Sequence, residues 1–375
     1  MSTRKQIIEN AVARIEETAN KRQIEASKLY VGAKQGDMSA QTKLREGIST
    51  SDIPALLTPA VNIEFLAKYA EQVTVWDQIA EQYNARTMGD INYGDFDFDT
   101  SELPPTNDGD AYVGAGLPGV AEYAEYPAVK FTTEQLTAEL RKSGVRLRVS
   151  WETMVKTGDF DMISRSTSAF ARYAAEQEDV TLAKQFVGTT AAINGAFTNL
   201  AGNTALTLES LAAAKTLSRA ATVGGRRVNA RSFALVTGGA LSDQAAQLLG
   251  IKNVQRTAGG DVYDISPANG DVSPVNFWAL DQVGGYTTPG ATDGYWFLVP
   301  QGTARPAFLE VFLEGHRAPE VTIKDSGHFY FNGGEVPARQ GSFREDDVET
   351  RARHVVQATL FEAAGIIESD GSGIA

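Results

Sequence analysis

The chain has 375 residues, 42% of them hydrophobic and 22% charged, with a formal net charge of -13. No run reaches the roughly 18 uninterrupted apolar residues of a membrane span, so the sequence predicts a soluble chain with no membrane partner and two or three compact units. Cysteine is absent, which excludes disulfide staples, thiolate metal sites and cysteine nucleophiles, and the acidic balance opposes general binding to a phosphate backbone.

The opening MSTRKQIIENAVARIEE sets Arg4, Lys5, Glu9, Arg14, Glu16 and Glu17 across any apolar signal core, so a secretory leader is not indicated. Thr3 and Gln6 have the spacing of a capping box, and Ile8, Val12 and Ile15 share one face of a helix that ends before Gly32. That stripe is thin, and such a helix needs a neighbouring surface to be stable. From Ser49, Pro54 and Pro59 predict an extended arm, followed by a short helix from about Asn62 to Tyr83.

Residues 88 to 129 hold nine acids (Asp90, Asp95, Asp97, Asp99, Glu102, Asp108, Asp110, Glu122 and Glu125) and no Lys or Arg. The stretch is rich in Gly and Pro, and loops this long inside a compact domain usually have a function. Within it Asp95, Asp97 and Asp99 alternate with Phe96 and Phe98, a strand with one charged face. Downstream, Val145, Leu147 and Val149 alternate with Arg146 and Arg148. These two strands of opposite charge can pair across a hairpin or across a subunit boundary, setting register more than energy, since exposed ion pairs contribute about 0 to 1 kcal/mol.

Asp159 opens the strongest helix, which runs to Val187 with Ile163, Phe170, Tyr173, Val180 and Val187 at spacings of seven and three and stops at Gly188. At about 1.5 Å per residue it is a rod of roughly 40 Å. Further helices are predicted at Leu208 to Ala221 and Ala240 to Leu249. Strands are predicted at Ser232 to Val236, Tyr295 to Val299, Phe308 to Leu313 and Val355 to Phe361. No internal repeat is present.

Catalytic signatures are weak. Gly114, Gly116 and Gly119 spell a dinucleotide-binding pattern, but Pro118 and Pro127 oppose the helix that pattern requires. The run beginning at Asp95 resembles a calcium loop, yet Thr100 stands where Gly is needed and Thr106 where Glu is needed. His316, His328 and His354 are dispersed and fall in no metal or triad motif. Arg226, Arg227 and Arg231 read as a solvated turn, and Tyr295, Trp296 and Phe297 as core. No catalytic, metal or cofactor residue is assigned.

Residues 120 to 188, VAEYAEYPAVKFTTEQLTAELRKSGVRLRVSWETMVKTGDFDMISRSTSAFARYAAEQEDVTLAKQFVG, carry a succession of features. Ala121, Glu122 and Pro127 lead outward, a strand returns, Ser150, Trp151 and Glu152 form a turn, Asp159 and Asp161 follow, and Glu178, Asp179 and Gly188 end the helix. This order resembles the E-loop and spine helix of HK97-type major capsid proteins of tailed bacteriophages. The segment from Leu208 to Gly250 resembles that family's axial domain, and FREDDVETRARHVVQATLFEAAG resembles its closing strands.

The resemblance implies an α+β HK97-like fold in six parts: an N-terminal helical segment (1–48), an N-arm (49–88), an E-loop (89–148), a peripheral domain with the spine helix (149–205), a mainly axial domain (206–300) and a closing β-rich part (301–375). It implies a structural protein, not an enzyme. That protein would self-assemble into hexamers and pentamers of an icosahedral virion shell, assembled in the host cytoplasm around double-stranded DNA without sequence-specific binding. Portal, scaffold and decoration proteins are the implied partners, and Asp95, Asp97, Asp99, Glu122, Glu125, Arg146 and Arg148 are the candidate inter-subunit contacts. No Lys lies between Met88 and Val129, so the covalent E-loop crosslink of some relatives is not expected. The short segment before the arm favours a separate scaffold or an uncleaved arm. The alternatives are an encapsulin-like nanocompartment packaging enzyme cargo and, more remotely, a soluble mixed α and β enzyme.

Overall fold

A computed structural model describes residues 65–88, 91–99, 126, 130–138, 140–150, 152–153, 159–223, 226–258, 261–265, 269–324, 331 and 343–373. The expected N-terminal helix, the glycine pattern at 114–119 and His328 lie outside them. The first elements are a helix over 65–71 (α1), a 3-10 turn (Trp76–Gln78), β1 (Glu81–Ala85), β2 (Ile91–Asp99), β3 (Lys130–Ala138), β4 (Lys142–Ser150) and α2 (Asp159–Phe186). The middle of the chain forms β5 (Thr198–Asn199), α3 (Leu208–Ala220), β6 (Thr222–Val223), β7 (Arg226–Arg227), β8 (Ser232–Thr237), α4 (Gly239–Gly250), β9 (Val254–Ala258) and β10 (Asp261–Ile265). The last part forms β11 (Val272–Asn276), α5 (Trp278–Gly284), β12 (Trp296–Gln301), β13 (Phe308–Leu313), β14 (Glu320–Ile323), β15 (Asp347–Leu360) and β16 (Ile367–Ser369).

The chain divides into two compact units, each assembled from three stretches. Unit one takes Met1–Thr74, Leu140–Glu178 and Phe312–Val356; unit two takes Val75–Glu139, Asp179–Val311 and Gln357–Ala375. In unit one β15 runs antiparallel to both β14 and β4. Its core packs Phe65, Leu66 and Tyr69 of α1 against Phe170, Ala171, Ala174 and Ala175 of α2, with Val321 and Ala352 from the sheet. The i, i+4 recurrence of these α2 positions puts them on one stripe. Small alanines let helix and sheet approach closely. The spacing-of-seven stripe is therefore only partly the buried one, for Tyr173 is 55% exposed. In β4, Leu147 and Val149 are half-buried while Val145 is exposed. Gly144 is needed there, since a methyl group on it would stand 2.6 Å from the Ala352 carbonyl oxygen.

In unit two a five-stranded mixed sheet has the order β11, β8, β12, β16, β5. The β8 run SFALVT is apolar without alternation because both its faces are covered, the signature of a central strand. On it packs a core of Leu206, Leu211, Phe233, Leu235, Leu248, Trp296 and Leu298. Thr207 caps α3 by accepting from the Ser210 N–H at 3.1 Å, while the Ser210 hydroxyl accepts from the Thr207 N–H at 2.8 Å. Also in unit two, β2 and β3 form an antiparallel hairpin. The mixed helix and sheet content is that of an α+β protein.

Two predicted elements are corrected. The helix expected to reach Tyr83 ends at residue 71, and a 3-10 turn and β1 follow. Val73, Thr74 and Val75 form a β-branched run that disfavours helix. The Asp179 carboxylate then takes the Val75 and Trp76 N–H groups at 2.9 and 3.0 Å and fixes the start of the turn. The last long strand begins at Asp347, not Val355. Its charged first half pairs with β4 and β14.

Candidate functional site

Arg146 and Arg148 extend from β4 toward β15, where the register sets Arg148 opposite Glu349 and Arg146 opposite Arg351. Arg148 is the centre of a charge ladder: its Nε lies 2.6 Å from Asp347 and 3.3 Å from Glu349, and its Nη2 meets Glu345. Lys324 adds a contact to Glu349 at 3.0 Å. The Asp347 side chain is 8% exposed, so its pairing with Arg148 is worth more than an ordinary surface pair. Arg146 makes one longer contact, 3.4 Å to Glu349, and is 61% exposed.

The acidic strand β2 pairs with β3, placing Asp95 opposite Glu134, Asp97 opposite Thr132 and Asp99 opposite Lys130. Within one chain, then, the acid strand and the arginine strand each have other partners. Glu122 and Glu125 lie outside the described residues.

Two carboxylates near the end of α2 are buried, Glu178 at 0% and Asp179 at 1% exposure. In unit one Glu178 accepts from the Tyr69 hydroxyl and from His354 Nε2 at 3.0 Å. In unit two Asp179 accepts from the Val75 and Trp76 backbone and, at 3.1 Å, from Trp278 Nε1. Full partnering is what makes buried charge tolerable. These carboxylates fasten separate chain stretches. Among the described residues no group of three or more His, Asp or Glu is placed to hold a metal ion. Unit one also has an open cleft of about 310 Å³ between α2 and the β4–β15 pair, edged by Tyr173 and Val145.

The chain is similar at low identity to several solved structures. One is the capsid of Myoviridae phage XM1, with 11% identity over 80% of this chain and 92% of that chain and a TM-score of 0.47. Another is a chain of Gordonia phage Cozz, with 13% identity, 81% and 88% coverage and a TM-score of 0.46. A third is the holo-SrpI encapsulin complex from Synechococcus elongatus PCC 7942, with 6% identity, 78% and 86% coverage and a TM-score of 0.42. No curated protein matches the sequence. The family model described as phage capsid protein matches residues 133–369, well over half of the chain. The chain belongs to the phage capsid protein family.

A capsid protein is a structural component of a virion shell and not an enzyme, and the buried ionisable groups of this one read accordingly. The Glu178 and Asp179 roles were invisible to composition or periodicity, because the run AAEQEDVTLAKQF around them is mixed in polarity and does not mark these two acids as buried. His354, 4% exposed, is structural, and His316 pairs at the surface with Glu320 at 2.6 Å. Trp296 and Phe297 are fully buried core, as their sequence context predicts.

A further buried acid, Glu368 of β16, went unnoticed in the sequence. Burial pushes its carboxyl above the usual range; the Asn199 amide, donating at 2.5 Å, opposes this, and the nearby Asp370 charge adds to it. One oxygen, Oε2, is buried without a hydrogen-bond partner. The fold therefore holds the Glu368 proton more tightly than the unfolded chain does. Its contribution to stability is greatest below the unfolded pKa and falls as pH rises through the elevated folded one. Glu368→Gln keeps a polar atom at the Oε2 position but removes the buried charge, so it is expected to raise stability at pH 7 by about 1 kcal/mol at most, and to lose that advantage at pH 4. Calorimetry at both pH values checks this; an equal or lower midpoint at pH 7 would sink it.

Proposed function

We propose that the chain self-assembles into hexamers and pentamers that close into an icosahedral head shell around double-stranded DNA, without sequence-specific contact to it. The observation that carries this reading is the capsid family match over residues 133–369. The net charge of -13 supports a wall that encloses nucleic acid without adhering to it. Assembly would take place in the host cytoplasm, with portal, scaffold and decoration proteins as partners. We assign residues 1–48 as an N-terminal helical segment, 49–88 as the arm, 89–148 as the E-loop, 149–205 as the peripheral domain with the spine helix, 206–300 as mainly axial, and 301–375 as the closing part. Rotational symmetry closes identical subunits into rings, and arms that bury apolar residues on neighbours give the large interfaces of permanent assemblies.

Electron microscopy with light scattering on the purified chain tests the reading. Closed shells, or capsomers of six times the 40.2 kDa chain mass, support it, and nucleic acid inside shells purified from infected cells separates a head shell from an enzyme-packaging compartment. A monomer or dimer that never assembles, even with crowding agent and scaffold candidates, overturns it.

Among the candidate contacts Asp95, Asp97, Asp99, Glu122, Glu125, Arg146 and Arg148, we assign Arg146 as the cleanest probe of an inter-subunit role. Reversing Arg148 would set a fourth acid against Glu345, Asp347 and Glu349 inside its own chain. Arg146→Glu is expected to change the stability of the unassembled chain by no more than about 0.5 kcal/mol while lowering shell yield on the order of tenfold through like-charge repulsion with a neighbour. Sedimentation of shells from free chain measures it, and undiminished yield removes Arg146 from the interface.

A further inference from the structure

Four Asn-Gly or Asp-Gly dipeptides lie in the described residues: Asn194–Gly195, Asn269–Gly270, Asp293–Gly294 and Asp370–Gly371. In each, a side-chain carbonyl carbon stands just before an amide nitrogen that no Cβ shields. Ring closure between the two needs a side chain free to turn and a main chain free to follow it. The four sites differ in both respects.

Asn194 is held at both ends: its Nδ2 donates to the Gln185 carbonyl at 2.9 Å, and its Oδ1 accepts from the Ala196 N–H at 3.1 Å. Gly294 and Gly371 are pressed backbone to backbone. A methyl group on Gly294 would stand 2.6 Å from the Asp370 carbonyl oxygen, and one on Gly371 would meet the Gly294 carbonyl oxygen. Asp370 also accepts from the Ser372 N–H at 2.8 Å. Asn269 is different. Its Nδ2 is buried without a hydrogen-bond partner, so no bond holds the amide nitrogen, and keeping it there costs free energy. Gly270 is exposed, and a methyl group on it would meet no atom within 4 Å. The pair opens a turn closed by the Val272 N–H on the Asn269 carbonyl at 3.1 Å. That turn leads into β11, the edge strand of its sheet.

We propose that Asn269 is a site of spontaneous deamidation, converted in the folded chain to aspartate or isoaspartate. Base removes the Gly270 amide proton, and the nitrogen attacks Asn269 Cγ. The N–Cγ bond forms, the Cγ–Nδ2 bond breaks, and Nδ2 departs as ammonia with the proton returned to it. Water then opens the five-membered imide at either carbonyl, and nothing is oxidised or reduced. The product carries one more negative charge and no longer buries an unpaired amide donor. Its neighbourhood can take that charge, for two residues on Asp271 is a single acid between two cations, Lys215 at 2.5 Å and Arg219 at 2.7 Å. Opening to isoaspartate also adds a methylene to the main chain just before β11, whose register on β8 begins at Val272 and Phe233. The site is a slow covalent mark of the age of the chain, placed where it changes local charge and loosens one sheet edge.

Peptide mass mapping of the full-length chain, incubated in mildly alkaline buffer made with heavy-oxygen water, tests this, because the label marks conversions that occur during the incubation. In the folded chain Asn269 is expected to convert faster than Asn194 by about tenfold or more, the factor that breaking two hydrogen bonds imposes on Asn194. In urea the two should convert at equal rates, since both precede glycine. Gly270→Ala shields the attacking nitrogen and fits the open space around it; it should slow Asn269 severalfold and leave Asn194 unchanged. Equal rates at the two sites in the folded chain overturn the inference. So does an Asn269 that stays an amide in the folded chain while it converts in urea, or a Gly270→Ala chain in which Asn269 converts as fast as before. If Gly270→Ala does not fold, the comparison of the two sites in the unsubstituted chain decides. The measurement needs no assembly, so its outcome is independent of the shell reading.

Discussion

Glu178→Ala is expected to destabilise the unassembled chain by about 3 to 5 kcal/mol, the cost of removing one member of a buried charged set. Glu178, Tyr69 and His354 are 0%, 3% and 4% exposed. The carboxylate is where a hydroxyl from α1 and an imidazole from β15 meet α2. Truncation strands the imidazole most severely, since His354 Nδ1 already lacks a partner and Nε2 would lose its own. Glu178→Gln keeps an acceptor and the volume, so its expected cost is smaller, about 1 to 2 kcal/mol. Replacing the whole set by apolar residues of similar size (Tyr69→Phe, Glu178→Leu and His354→Leu) should recover most of the loss, because no polar group is then left buried and unpaired. Calorimetry of the unassembled chain measures the series. A Glu178→Ala loss under about 1 kcal/mol would mean that water or rearrangement compensates the site.

The parts of the fold legible in the sequence were those governed by local rules. The α2 rod, the α3 and α4 helices, and the β8, β12 and β13 strands follow from periodicity and from unbroken apolar runs, and their bounds moved by no more than two residues. What was not legible depends on partners distant in sequence. Apolar runs alone place the start of β15 at Val355, past Glu349, Arg351 and Arg353, although residues 343–365 resemble closing strands as a whole. The stretch before Val355 is a strand because β4 and β14 supply neighbours, Arg148 and Glu320 among them. The start of the 3-10 turn depended on Asp179, a residue 104 positions beyond Val75. Of the candidate contacts, opposite charge on two strands was real as a pattern, yet sequence could not tell an intramolecular partner from an intermolecular one. Arg148 has found its acids on β15, while Arg146 retains most of its exposure.

Phe186→Ala is expected to cost about 3 to 5 kcal/mol through the cavity it leaves. Phe186 is fully buried, and its ring centroid lies 4.6 Å from that of Phe308, 5.0 Å from Phe297, 5.9 Å from Phe197 and 6.1 Å from Phe277. Several of these pairs are edge-on or tilted, the arrangements in which aromatic rings attract beyond their buried area. The cluster joins the last turn of α2 to β12, β13 and the segment leading into α5, so one ring holds four separate stretches of unit two. Phe186→Leu refills part of the space and should cost roughly half as much. The contrast with Arg146→Glu separates stability from assembly. Phe186→Ala should lower the unfolding midpoint and the shell yield together, and shell yield should recover at reduced temperature as the folded fraction returns. Arg146→Glu should lower yield at every temperature with the midpoint unchanged. If Phe186→Ala left the midpoint in place, the ring cluster would not be the anchor of this core.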